Sequence, residues 1–191
     1  WNGEWVDAMI LGEANTPGGI QLQIADSVPD SELPYKIVYS TYDNGLVLRI
    51  ANVGIGYPQA TTSFPIGVTQ GILYNGDFSL SIDSKKHIPS LAYVFGKHVF
   101  VTKATNTHGS AWGTPVRITN ATGLPYYDNV TLGSLVLSTQ GNPRVSLLLH
   151  GAENDPNWKG TLALLQGPSW PGVYSDWHVI KIGRASCRER V

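Results

Sequence analysis

Pro89-Ser-Leu-Ala-Tyr93 and the runs on either side of it decide how this chain folds. Before it stands Leu80-Ser-Ile82, and after it come Val99-Phe-Val-Thr-Lys103 and Trp112-Gly-Thr-Pro-Val-Arg-Ile118. Each run is short, rich in Val, Ile, Leu, Tyr and Thr, and bounded by turn residues, the pattern of a β-strand. The quartet then recurs. Downstream stand Leu135-Val-Leu137, Pro143-Arg-Val-Ser-Leu147, Thr161-Leu-Ala-Leu-Leu165 and Trp177-His-Val-Ile-Lys-Ile182. Upstream stand residues 20–24, Pro34-Tyr-Lys-Ile-Val-Tyr39, Leu46-Val-Leu-Arg-Ile50 and the stretch 57–68, which lacks the Trp. Pro34, Pro89 and Pro143 lie 55 and 54 residues apart. Trp5-Val-Asp-Ala-Met-Ile10 has the look of a fourth run from a preceding unit.

Between the runs sit Asp43-Asn44-Gly45, Asn75-Gly76-Asp77, His108-Gly109 and Gln140-Gly141-Asn142-Pro143. Asn-Gly favours the positive φ of tight hairpins, so neighbouring strands are expected to pair antiparallel. No stretch carries a helical period with caps. A single four-stranded sheet cannot bury both of its faces, so successive sheets must stack on one another. Four strands per unit at this period is what the blades of a β-propeller show. The expectation is therefore an all-β, partial β-propeller: three four-stranded antiparallel blades at about 15–70, 71–125 and 126–181, preceded by one strand near residues 4–10. Core packing is the ordinary role of strand aromatics, so Trp112 and Trp177 are expected to fill the layer between blades.

The same residues resemble a family. Ala104-Thr-Asn-Thr-His-Gly-Ser-Ala-Trp-Gly-Thr-Pro-Val116 and Ser134-Leu-Val-Leu-Ser-Thr-Gln-Gly-Asn-Pro-Arg-Val-Ser146 look like the blade repeats of bacterial propeller-like proteins, and residues 37–51 are similar to the middle of that pattern. A more distant likeness is to the Asp-box of sialidase-type propellers, Ser/Thr-x-Asp-x-Gly-x-x-Trp. Thr105, Gly109 and Trp112 fit it with Thr107 in place of the Asp, while Thr41, Asp43 and Gly45 fit it with Leu48 in place of the Trp. These are turn and packing residues. The resemblance implies a fold and an extracellular or cell-surface setting, and it assigns no catalytic residue.

Composition narrows the field. Charged residues make up 14% of the chain, against roughly 25% in an average soluble domain. The formal net charge is −1 with no basic stripe, which argues against nucleic acid as a partner. No apolar run reaches the roughly 18 residues of a membrane helix. Six Trp, nine Tyr and four Phe are more than a disordered chain carries. Residues 182–191, Ile-Gly-Arg-Ala-Ser-Cys-Arg-Glu-Arg-Val, read as the translation of a common sequencing-library adaptor. Removing them as an artefact tail takes away Cys187, the one cysteine, and with it any thiol nucleophile or cysteine metal ligand. With Trp at position 1 and such a tail, the chain reads as a fragment of a longer protein.

Chemistry is sparse. A sialidase-like site needs an arginine cluster, but Arg49, Arg117 and Arg144 fall in the third, fourth and second strands of successive units. Paired carboxylates for glycoside hydrolysis must converge within roughly 5–10 Å, and nothing in the spacing pairs Asp83, Asp128, Glu153 and Asp155. His87, His98, His108, His150 and His178 show no clustered ligand spacing. Neither cofactor nor metal is expected. Binding asks less than catalysis: an aromatic face and a few amides, which Trp158, Asn157, Trp170 and Tyr127 could supply from loops of the third unit, with Tyr126 beside them. The expected function is a non-catalytic repeat segment of a secreted or cell-surface bacterial protein that binds a glycan or another protein. The alternatives are a fragment of a sialidase-like or other propeller glycoside hydrolase, and a purely structural spacer.

Overall fold

A computed structural model describes residues 17–24, 35–42, 46–53, 58–65, 77–107, 111–151, 160–168 and 176–184, with side chains from residue 77 onward except Lys181, Ile182 and Arg184. The described residues form three four-stranded antiparallel sheets and contain no α-helix. The chain divides into two compact units, residues 1–69 and 70–191. The strand expected near residues 4–10 lies outside the described residues.

The first unit holds β1 (Pro17–Ile24), β2 (Tyr35–Tyr42), β3 (Leu46–Val53) and β4 (Pro58–Pro65), in the order β1-β2-β3-β4. Tyr42 pairs with Leu46 across Asp43-Asn44-Gly45, so the turn signal and the hairpin coincide. Ile20, Leu22 and Ile24 pair with Tyr39, Ile37 and Tyr35, placing the apolar residues of the two strands at facing register positions.

The second unit holds two such meanders. The first comprises β5 (Phe78–Ile82), β6 (Pro89–Phe95), β7 (His98–Lys103) and β8 (Val116–Arg117). The other comprises β9 (Asn129–Leu137), β10 (Pro143–His150), β11 (Thr161–Gln166) and β12 (His178–Arg184). Strand order follows chain order in both. Phe95 pairs with His98 across a two-residue loop whose first residue, Gly96, has φ +57°. Glycine supplies that conformation without a steric cost. The expected strand 112–118 is cut to two residues. Trp112 lies outside the strand and forms an isolated bridge to Ala104, Pro115 has no N–H to give the ladder, and Ile118–Asn120 curls into a 3-10 turn. β12 runs three residues past the expected boundary at 181, with Ile182, Gly183 and Arg184 paired to Ala163, Leu162 and Thr161.

The core of this unit lies between its two sheets. Ala92, Val94, Val99 and Val101 of the first sheet join Leu132, Leu135, Val145, Leu147, Leu149 and Leu165 of the second in one buried cluster. Trp177, 2% exposed, belongs to it as expected. Trp112 does not; it is half-buried. The two central strands differ. β6 is buried along nearly its whole length, whereas β10 alternates buried with more exposed positions, the pattern of a sheet covered on one face. The uncovered face of the second sheet shows Val136 and Leu162, each 52% exposed, and Ile180 at 41%.

In both sheets the turn from the first strand to the second is held by its leading side chain. Asp83 Oδ1 accepts hydrogen bonds from the N–H groups of Lys85 and Lys86, at 2.9 and 3.0 Å. At the matching place Ser138 Oγ accepts from the N–H groups of Gln140 and Asn142, at 3.3 and 3.0 Å. Each turn then has one residue at positive φ two positions before its Pro: His87 at +54° and Gly141 at +79°. After each turn the Pro carbonyl accepts from the end of the third strand, Pro89 O from Ala104 N at 2.9 Å and Pro143 O from Gly167 N at 3.0 Å. The two sheets of this unit thus share these hydrogen bonds as well as their strand order.

Candidate functional site

The segment 124–128 carries the chain from the 3-10 turn to β9 and holds two adjacent tyrosines that point to different surroundings. Tyr126 is 83% exposed, and its hydroxyl donates to Asp128 Oδ1 at 2.6 Å. That hydrogen bond, with the charge of Asp128, raises the phenol above its usual range. Tyr127 turns inward. It packs against the core cluster, and its hydroxyl lies 3.3 Å from His98 Nδ1. Tyr127 therefore has its ring engaged in packing, and the exposed aromatic of the pair is Tyr126. Tyr127 is the ring expected at the binding cluster from the sequence, where a Tyr-Tyr pair in a loop carries no signal of which ring the core will take. The other residues expected at the binding cluster, Asn157, Trp158 and Trp170, lie outside the described residues, as do Glu153 and Asp155.

His98 sits at the start of β7, where the same Nδ1 also lies 3.5 Å from Thr119 Oγ1. Burial, then the charges of Arg117 and Lys97, hold its imidazole below its ordinary range. The folded state thus binds that proton less readily than the unfolded chain. Stability from neutral His98 is fully present above the unfolded histidine pKa and is lost as pH falls through the window beneath it. The melting temperature of the full chain is expected to fall between pH 7 and 5, with a shallower fall in His98→Gln. Equal slopes in the two proteins would remove this assignment.

Asp83, one of the carboxylates weighed for catalysis, is engaged in structure. It is 6% exposed, its Oδ1 holds the turn, and its Oδ2 lies 3.9 Å from Lys103 Nζ. Burial by itself would raise its pKa, but the N–H donors of Lys86 and Lys85 and the charges of Lys103 and Lys86 outweigh it, so Asp83 is held below the usual carboxylate range. A carboxylate so committed is a poor proton donor near neutrality. Asp128 is occupied by Tyr126. His150 Nε2 lies 2.8 Å from Thr131 Oγ1 across the edge of the sheet. Among the described residues no three His, Cys, Asp or Glu side chains are grouped to hold a metal ion. Arg49, Arg117 and Arg144 lie in β3, β8 and β10, the strand positions expected of them.

Among the described residues no helix is long and apolar enough to cross a membrane. No protein-family model, curated protein or solved structure matches this chain.

Proposed function

We propose that this chain is a segment of a β-propeller-like repeat protein, extracellular or at the cell surface, that acts as a non-catalytic module binding a glycan or another protein. The observation that supports it best is the repeat itself. Two consecutive four-stranded meanders stack on each other and share one turn device, at Asp83 and at Ser138. Such stacking holds loops at fixed spacing, and loops on a rigid scaffold are where recognition concentrates. Tyr126 offers an aromatic face beside the carboxylate of Asp128, and aromatic rings with neighbouring polar groups suit sugar rings. Trp158, Asn157 and Trp170 are the further residues proposed for that role on sequence grounds.

The test is a glycan panel and a set of fluorogenic glycosides, applied to the full chain. Binding without turnover is expected, with affinity falling at least tenfold in Tyr126→Ala or Trp158→Ala. Turnover that disappears when Asp128, Glu153 or Asp155 is replaced by Ala would overturn the non-catalytic reading and favour a glycoside hydrolase. Glycan binding that survives Tyr126→Ala, Trp158→Ala and Trp170→Ala would remove the proposed residues.

A further inference from the structure

The two sheets of the second unit can be laid over each other by hydrogen-bond register alone. Pro89 and Pro143, each bonded to the end of a third strand, set the frame. In that frame the cross-strand pair Ala92–Val101 corresponds to Ser146–Leu164, and Val94–Val99 corresponds to Leu148–Leu162. Both pairs of the first sheet are buried because the next sheet covers them. Their counterparts in the second sheet lie on the face where Leu162, Val136 and Ile180 are exposed.

One polar contact fixes how the covering sheet is seated. Register shifts in β9 between its pairings with Leu147 and Val145, a bulge across Leu132–Leu135. The bulge turns the Leu135 N–H out of the ladder, and it donates to Ser79 Oγ on β5 at 2.9 Å, inside the core. Ser79 stands 55 residues before Ser134, its counterpart on β9. Ser134 is exposed, with its hydroxyl 3.1 Å from Ser146 Oγ.

The geometry points to the face of β9–β12 carrying Val136, Leu148, Leu162, Leu164 and Ile180 as a docking surface for a further four-stranded sheet of this same repeat. That sheet sits on it as β9–β12 sits on β5–β8, and a bulge N–H of its first strand donates to Ser134 Oγ. The surface continues an interface already formed within the molecule. It also discriminates between occupants. Two copies of the chain laid face to face would bring no bulge N–H to Ser134, because Leu135 N–H points to the opposite side, toward Ser79. The inference rests on the repeat and not on the binding role proposed above.

The experiment extends the full chain by one unit. Arg117 and Ile182 correspond in register, each facing a strand that pairs in the same way. Residues 118–184 are therefore repeated directly after Ile182, so that the native connector from β8 to β9 carries the chain onto the exposed face. Covalent footprinting then reads Leu162 and Ile180 in the original copy, and hydrogen exchange reads the added strands. Labelling of both residues is expected to fall at least fivefold with the added strands protected. Ser134→Ala is expected to lower the melting temperature of the extended chain and leave that of the original unchanged. Unchanged labelling, or added strands that exchange freely, would overturn the proposal. So would equal protection in the original chain as a dimer, which would assign the face to a second copy. Glycan binding is not a readout of either arm, so each proposal can fail alone.

Discussion

Replacing Trp177 by alanine is expected to cost about 3–5 kcal/mol, the range for removing a buried aromatic, and so a large part of a typical domain stability of roughly 5–15 kcal/mol. Its ring lies in the layer between the two sheets. It is seated over Gly167: a Cβ built there would stand 2.5 Å from Trp177 Cε2 and 2.6 Å from Cζ2. Glycine at 167 is thus the space the indole occupies. Gly167→Ala is expected to cost about 1–3 kcal/mol by overpacking, and little further once Trp177 is already alanine, because the two changes disturb one contact. Trp112→Ala, in the equivalent run but half-buried, is expected to cost less than half as much as Trp177→Ala. Urea unfolding of the unaltered chain and these four variants checks all three statements. Equal losses at Trp112 and Trp177 would contradict the placement of the core.

The second large effect is expected at the β9 bulge. A Cβ at Gly133 would meet Ser146 Oγ at 2.5 Å and the Ser146 carbonyl oxygen at 3.1 Å. The hydroxyl can rotate away, but the carbonyl belongs to the β10 ladder and cannot. Gly133→Val is therefore expected to cost about 1–3 kcal/mol from the clash. If the bulge shifts, the buried Leu135 N–H loses Ser79, adding about 1–3 kcal/mol for an unpaired donor. Ser146→Gly removes the hydroxyl while leaving the carbonyl, so in the Gly133→Val background it should restore only part of the loss. Full restoration, measured by urea midpoint, would show that the backbone contact carries no weight.

The strands were legible because their signals are local. Tyr42 and Leu46 pair on either side of the Asp43-Asn44-Gly45 signal, and each Pro at 89 and 143 opens a second strand. The turns that precede these two prolines also differ in length by one residue. The first turn closes with Asp83 N bonded to Ile88 O, and the second with Ser138 N bonded to Asn142 O, one residue sooner. What escaped the sequence depends on partners distant in the chain. Gly133 and Ser79 carry no motif, since their roles exist only once β9 lies against β10 and β5 respectively. Trp112 and Trp177 look alike in sequence, but only Trp177 reaches the inter-sheet core. Tyr126 and Tyr127 are adjacent and identical, and packing decides which ring faces solvent. Function was less legible than fold for the same reason: a turn or a strand needs a few neighbouring residues, whereas a site needs several distant ones brought together.

The two sheets of the second unit stack face to face, with Ser79 joining the first strand of one to the first strand of the next. Hydrogen exchange at the Leu135 amide tests it most directly, read in the full chain and in Ser79→Ala. This amide, though turned out of its own sheet's ladder, is expected to exchange as slowly as the interior of β10, and at least tenfold faster than that interior once Ser79 is alanine. A Leu135 amide that exchanges at the rate of an exposed strand edge in the unaltered chain, and is indifferent to Ser79→Ala, would contradict the stacking itself.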